Sequence, residues 1–245
     1  MTEETRFALS APPALDQSSA ALFLDFDGTL VDIAPRPDAV EVAPGLGAAL
    51  SGLRHSLDSA LALVSGRSLA MLERFLPDFD GLMIGSHGAE ARGMAPMIAA
   101  APEGLAMLQA MLAQFAQEQG LFYEEKTLGG ALHFRARPEA APTAEAFVTE
   151  LAMRLPGFTV QPAKMCFELK PEGASKDRAL ARIVQLPAFA GRLPVYLGDD
   201  STDEPALAWA AAQGGFGVKI GAGPSAARHR LADPVAVRRW LGLER

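Results

Sequence analysis

The stretch Leu22-Phe23-Leu24-Asp25-Phe26-Asp27-Gly28-Thr29 governs how the rest of the chain is read. Three apolar residues read as the end of a buried strand, followed by two aspartates at a spacing of two and then by Gly-Thr. Successive side chains of a strand alternate between its faces, so Asp25 and Asp27 would share one side while the chain stays extended. Two carboxylates side by side repel, and neither is cheap to bury unpaired. A cation beside them removes the conflict. It also leaves one carboxylate free to attack and the other free to move protons. Taken alone, the pattern is also that of a polar strand end before a turn.

Other segments bear on that choice. A second short apolar run, Leu61-Ala62-Leu63-Val64, ends in Ser65-Gly66-Arg67. A third, Pro194-Val195-Tyr196-Leu197, ends in Gly198-Asp199-Asp200-Ser201-Thr202-Asp203-Glu204. Between them Gly173-Ala174-Ser175-Lys176-Asp177 precedes a helical pattern. In open α/β sheets ligands bind at the carboxyl ends of the strands, so these four polar clusters can converge on one crevice.

The pattern Asp25-x-Asp27-Gly28-Thr29, Ser65, Lys176 and Gly198-Asp199-Asp200-x-Thr202-Asp203 resembles, in order and spacing, the four motifs of the haloacid dehalogenase superfamily of phosphatases. Gly85-Ser86-His87-Gly88-Ala89-Glu90, Glu124-Glu125-Lys126, Leu132-His133-Phe134-Arg135 and Phe167-Glu168-Leu169-Lys170-Pro171 are similar to forms found in the trehalose-6-phosphate phosphatase family. The resemblance runs from about Leu22 to about Leu241. One departure is Asp177 after Lys176, where that family often has Gly; the lysine itself is in place.

Around these motifs the chain alternates. Strands are expected at 21–24, 61–64 and 82–84, with helices after Pro44-Gly45 and over 68–75, which is the rhythm of a parallel sheet. Near Pro96 the period changes. Helix 102–119 is followed by strands 121–127 and 131–136, with Gly129-Gly130 between them as the expected hairpin turn. Helix 142–154 is followed by strands 158–161 and 166–169. After Pro171 the first rhythm returns, with helices 176–184 and 204–212 and strands 195–197 and 217–220. The expected fold is therefore an α/β, doubly wound parallel-sheet core (Rossmann-like, of haloacid dehalogenase type) with an inserted α+β cap domain. The core comprises 19–95 and 171–245, the cap 96–170, and residues 1–18 form a loose lead-in. The resemblance implies that the cap closes over the core site and reads the leaving group.

At 245 residues the chain can bury a sizeable core, and its 49% hydrophobic and 21% charged residues are those of a globular protein. A net charge of −7 argues against a nucleic-acid partner while leaving room for a local cationic pocket. Cys166 is the only cysteine and lies in an apolar run, which suits a buried structural thiol. The first residues lack the basic start of a signal peptide, and no apolar run reaches the roughly 18 residues of a membrane helix. Neither a membrane nor an obligate protein partner is indicated, and a cytoplasmic protein is expected.

Phosphoryl transfer needs a nucleophile, charge neutralisation and a leaving-group acid. Asp25 is the expected nucleophile, since a carboxylate attacks phosphorus without an activating base and gives an aspartyl-phosphate. Asp27 is expected to act as acid and then as base. Asp199 is expected to bind Mg²⁺ with Asp25 and a backbone carbonyl at Asp27, with Asp200 or Asp203 behind. Lys176 and Ser65 would neutralise the phosphoryl oxygens. Taken singly, Ser65 also reads as a cap for the next helix, Lys176 as a solvated helix start and Asp203 as an N-cap before Glu204-Pro205.

Arg67, His87, Glu90, Lys126, His133, Glu168 and Lys170 are candidate substrate contacts. Those between 124 and 170, with Glu124 and Arg135, alternate with apolar residues as any half-exposed sheet would. The resemblance implies that Lys126 and Glu168 contact a hydroxyl-rich sugar and that His87 and Glu90 lie in the sugar site; His87 also reads as a satisfied turn residue. The leading expectation is a Mg²⁺-dependent phosphatase acting on trehalose 6-phosphate. The rivals are a capped phosphatase for sucrose phosphate or a mannosyl-glycerate phosphate, and a non-catalytic phosphosugar-binding regulator.

Overall fold

A computed structural model describes residues 10–34, 36–163 and 165–244. Strand β1 (Ala20–Leu24) is buried along its whole length. Helix α1 (Leu46–Ser56) turns Leu46, Leu50 and Leu53 inward, as their three-to-four spacing requires. Strand β2 (Leu61–Val64), helix α2 (Leu69–Phe75), strand β3 (Leu82–Gly85) and the short strand β4 (Glu90–Arg92) follow. Next come α3 (Leu105–Gln119), β5 (Phe122–Lys126), β6 (Gly129–His133), α4 (Ala141–Arg154), β7 (Phe158–Ala163) and β8 (Cys166–Pro171). The chain ends with α5 (Lys176–Ile183), β9 (Leu193–Gly198), α6 (Glu204–Ala212), β10 (Phe216–Ile220), β11 (His229–Leu231) and α7 (Pro234–Trp240).

Seven strands form one sheet in the order β11-β10-β9-β1-β2-β3-β4, parallel except for β4 at its edge. Its inner strands read as unbroken apolar runs because helices cover both faces. The other four form an antiparallel sheet, β5-β6-β8-β7. Each sheet has its own apolar core. Leu108, Leu112, Val148 and Leu151 of α3 and α4 pack on Leu132, Phe167 and Leu169 of the smaller sheet. Among the described residues no helix is long and apolar enough to cross a membrane.

Three details differ from the sequence-based expectation. The hairpin β5–β6 turns at Thr127-Leu128, whereas Gly129 and Gly130 are already paired with Lys126 and Glu125. They are glycine because of crowding: a Cβ on Gly129 would strike the Leu169 carbonyl, and one on Gly130 would lie 2.8 Å from Leu112 and Tyr123. Residues 1–9 of the lead-in lie outside the described residues, and the remainder is tied down. Ser10 bridges to His229, and the Trp240 indole donates to the Pro13 carbonyl at 3.0 Å. Finally β4, β11 and α7 went unforeseen. The two strands are only three residues long, but α7 had a readable start, with Asp233 as its cap and Pro234 in the first turn.

Candidate active site

Parallel strands put the ends of β1, β2, β3 and β9 on one edge of the large sheet, and the ladder there runs one residue past the strands. Asp25 N–H donates to the Leu197 carbonyl at 3.0 Å and Ser65 N–H to the Ile84 carbonyl at 2.9 Å. Both side chains are thereby held at the floor of one cavity, which Asp27, Arg67, Lys176, Asp199, Asp200 and Asp203 also line.

Lys176, the first residue of α5, is buried and donates to Asp25 Oδ1 at 2.7 Å and to Asp203 Oδ1 at 2.6 Å. The solvated helix start is thus ruled out. Asp203 also accepts from the Tyr196 hydroxyl at 2.5 Å, Asp199 N–H at 3.1 Å and Asp200 N–H at 3.0 Å. A carboxylate has about four acceptor sites, and these four donors take them all. Asp203 is therefore a brace for Lys176 and the 199–200 backbone, and its side chain makes no cap to α6. Asp200 caps the short turn 201–203 through Ser201 N–H at 2.6 Å. Ser65 does not cap α2 either; Ser68 does, while Ser65 Oγ accepts from Arg67 N–H at 3.2 Å.

The chain leaves the strand after Leu24, so Asp25 and Asp27 do not sit as strand neighbours. Asp27 is gripped by Arg67, Nε to Oδ2 and Nη2 to Oδ1 both at 2.6 Å, and the guanidinium lies over the rings of Phe26 and Phe75. Gly28, at φ +73°, lets the chain turn there, and a Cβ on it would strike the Asp199 carboxylate.

Carboxylate oxygens of Asp25, Asp199 and Asp203 lie within 4.8 Å of one another. Burial pushes Asp25 well above the usual carboxylate range; Lys176 opposes this, and Asp203 and Asp199 add to it. Burial and Asp203 push Asp199 up to about 7. Burial acts on Asp203 as well, but Lys176 and the Tyr196 hydroxyl outweigh it and hold Asp203 below the usual range. Asp25 and Asp199 thus share one buried site with too little positive charge to ionise both. A divalent cation supplies what is missing, and hard carboxylate oxygens are the ligands such ions take. The site fits a divalent metal held by Asp25 and Asp199, since the oxygens of Asp203 are already taken.

The smaller sheet turns one face toward this edge. Register places Phe122, Glu124 and Lys126 of β5, His133 of β6 and Cys166, Glu168 and Lys170 of β8 on that face. Tyr123, Leu132, Phe167 and Leu169 point to the opposite, apolar side. Glu124 accepts from His133 Nε2 at 2.8 Å and lies 3.4 Å from Lys126 Nζ. Lys126 reaches the large sheet's loop, donating to the Gly66 carbonyl at 3.0 Å, and lies 3.4 Å from Glu168. Glu168 is also 3.2 Å from His87 Nε2. Burial alone would raise Glu168, but Lys126 and His87 prevail and hold it down to about 2. Burial lowers His87 against the pull of Glu168, and it lowers Lys170 likewise.

His87 gets there through a turn in which Ser86 and His87 both have left-handed φ, 47° and 55°. For residues with a β-carbon this costs about 1–2 kcal/mol each. Lys126, His87, His133 and Arg67 line the cavity; Glu168 stands behind Lys126 and His87, and Lys170 is not part of the wall. Glu90, expected in the sugar site, is not among the residues that line the cavity. Its carboxylate accepts from Ser86 Oγ at 2.5 Å and from Leu69 N–H at 3.2 Å. The wall also contains Ile33 and Ala34, which a loop without periodicity gave no signal for, and Thr202 and Cys166.

A family model described as trehalose-phosphatase matches residues 23–235. The chain is 37% identical over 228 residues to the trehalose-6-phosphate phosphatase of Escherichia coli (strain K12), covering 90% of this chain and 85% of that protein. It is 36% identical over 210 residues to a probable trehalose-phosphate phosphatase of Sinorhizobium fredii, covering 84% and 79%. The crystal structure of a trehalose-6-phosphate phosphatase related protein superimposes with a TM-score of 0.77 at 28% identity, over 92% of this chain and 96% of that one. A phosphatase of the haloalkanoate (HAD) enzyme superfamily from Bacteroides thetaiotaomicron shares the fold, with a TM-score of 0.60 at 16% identity over 95% and 96%.

Proposed function

The chain belongs to the trehalose-phosphatase family, and from that premise we propose that it hydrolyses trehalose 6-phosphate to trehalose and phosphate through a phosphorylated Asp25. The observation that carries this is the buried Asp25 carboxylate. One of its oxygens is held by Lys176 at 2.7 Å, at the floor of a cavity that His87, Glu124, Lys126 and His133 also line.

Lys176 takes Oδ1, which leaves Oδ2 to attack phosphorus. The Asp25 O–P bond forms, the bond to the sugar oxygen breaks, and Asp27 delivers a proton to that oxygen. Asp27 then takes a proton from water as the water attacks phosphorus and releases Asp25. Arg67 fixes where Asp27 presents its oxygens. Lys176, the Ser65 hydroxyl and nearby N–H groups face the phosphoryl oxygens. Mg²⁺ is the cation we assign to Asp25, Asp199 and the Asp27 carbonyl; when bound it neutralises charge on the phosphoryl group. Asp200 would orient its waters, and Asp203 keeps the brace.

We read residues 96–170 as a cap whose polar sheet face receives the sugars. Lys126 and the carboxylates of Glu124 and Glu168 suit a hydroxyl-rich leaving group, with His87 and His133 alongside. Phosphate release from a panel of phosphosugars, with and without chelator, tests the proposal. Trehalose 6-phosphate should be the fastest substrate and chelator should stop release. Faster turnover of sucrose phosphate or a mannosyl-glycerate phosphate, or full turnover in chelator, would overturn it.

A further inference from the structure

The turn at 86–88 has two consecutive non-glycine residues at positive φ, as Asp58 and Ser59 do elsewhere, and here Gly88 follows at φ +113°. Such a conformation persists only where the surroundings impose it. Two backbone bonds do so from the neighbouring loop. Ser86 N–H donates to the Arg67 carbonyl at 2.7 Å, and His87 N–H to the Ser65 carbonyl at 3.0 Å. The Ser86 hydroxyl donates to Glu90 Oε2 at 2.5 Å, and the same oxygen accepts from Leu69 N–H at the start of α2. Glu90 therefore ties the turn to the chain that leaves the Ser65-Gly66-Arg67 loop.

The bonds beyond the turn close a circuit. The His87 ring lies so close to Gly66 that a Cβ there would be 2.5 Å from Nε2. His87 Nε2 meets Glu168, Glu168 faces Lys126, and Lys126 Nζ returns to the Gly66 carbonyl. Two of these links cross between the sheets. The geometry points to Glu90 as a positioning residue: through Ser86 it holds the strained turn that carries His87 to Glu168, and so couples sugar recognition on the small sheet to the phosphate-facing loop 65–67. This rests on the trehalose 6-phosphate reading above. Glu90 touches no substrate in it.

The test uses kcat and KM for trehalose 6-phosphate and for p-nitrophenyl phosphate, with thermal melts, in Glu90→Ala, Glu90→Gln, Ser86→Ala and Ser86→Gly. Ser86→Gly removes the hydroxyl and also the steric objection to positive φ, so it loses the brace without losing the fold. The ratio of kcat/KM between the sugar and aryl substrates should fall about tenfold or more in Glu90→Ala and in both Ser86 variants, as expected for a hydrogen bond to a charged group. Glu90→Gln, which keeps an acceptor oxygen, should recover part of it. The melting temperature of Ser86→Gly should match or exceed that of the parent. An unchanged ratio in Ser86→Gly and Ser86→Ala, or equal losses on both substrates, would overturn the inference. A parent protein that ignores trehalose 6-phosphate would instead overturn the functional reading, before any variant is compared.

Discussion

The edge of the large sheet and the polar face of the small one are both buried clusters of charge, but they are balanced differently. At the edge, the Asp25, Asp199 and Asp203 carboxylates share Lys176, and two of them are pushed upward. On the small sheet each anion has a cation or an imidazole in reach: Glu124 has His133 and Lys126, and Glu168 has Lys126 and His87. The first cluster is incomplete without a cation and is suited to chemistry on an anion. The second is satisfied by itself, and in the proposed function it would exchange internal bonds for sugar hydroxyls at little net cost. In the function proposed above, the difference separates bond-breaking from recognition.

The comparison breaks most visibly at Asp25. Asp25→Asn is nearly isosteric, so the protein should fold while kcat on every substrate drops by at least about a thousandfold, because the nucleophile itself is gone. A fluoroberyllate mimic of the phosphoryl group should attach to Asp25. Rapid turnover by a folded Asp25→Asn protein would mean another nucleophile.

The cation comes next. Asp199 has its carboxyl raised from 3.8 to about 7 in the metal-free fold. A raised carboxyl favours the fold when protonated, and that contribution is lost as pH rises through 7. A cation needs the ionised form, so its binding releases a proton. Melts of metal-free protein titrated with Mg²⁺ should therefore show affinity roughly 100-fold weaker at pH 5 than above pH 7 from Asp199 alone. Affinity independent of pH would remove Asp199 from the ligand set.

On the small sheet the sign reverses. Glu168 is lowered from 4.5 to about 2, so its contribution is full above pH 4.5 and disappears as pH falls through 2. This is on the order of 3 kcal/mol. Denaturant melts of Glu168→Gln should show a shallower loss of stability between pH 4.5 and 2 than the parent, and an identical slope would mean the carboxylate is not held by Lys126 and His87.

The parts of this molecule legible in the sequence are those where burial and chemistry agree. β1, β2 and β9 are apolar runs because they are buried on both faces, and Asp25, Ser65 and Asp199 stand out because they end those runs. Glu90 reads, from its place after His87, as part of the same site, but neighbourhood in the chain does not tell which way a side chain turns: its carboxylate accepts from Ser86 Oγ and from the distant Leu69 N–H. Asp203 stands behind Asp199 as its motif implies, but its bonds to Lys176 and the Tyr196 hydroxyl leave no local pattern. Gly129 and Gly130 look like a turn, but their absent side chains admit Leu169 and Tyr123 from elsewhere in the chain. Contacts between the sheets, such as Lys126 to Gly66, join residues 60 apart and leave no local pattern.

The division between the two clusters is tested most directly by Lys126→Ala, assayed on trehalose 6-phosphate and on p-nitrophenyl phosphate, which has no second sugar. Lys126 bonds Gly66 and faces Glu124 and Glu168, so kcat/KM for the sugar should fall by on the order of 1.5–3 kcal/mol, about 10- to 150-fold. The slow aryl hydrolysis should stay within about twofold of the parent. Equal losses on the two substrates would contradict the account, because Lys126 would then serve the chemistry or the fold.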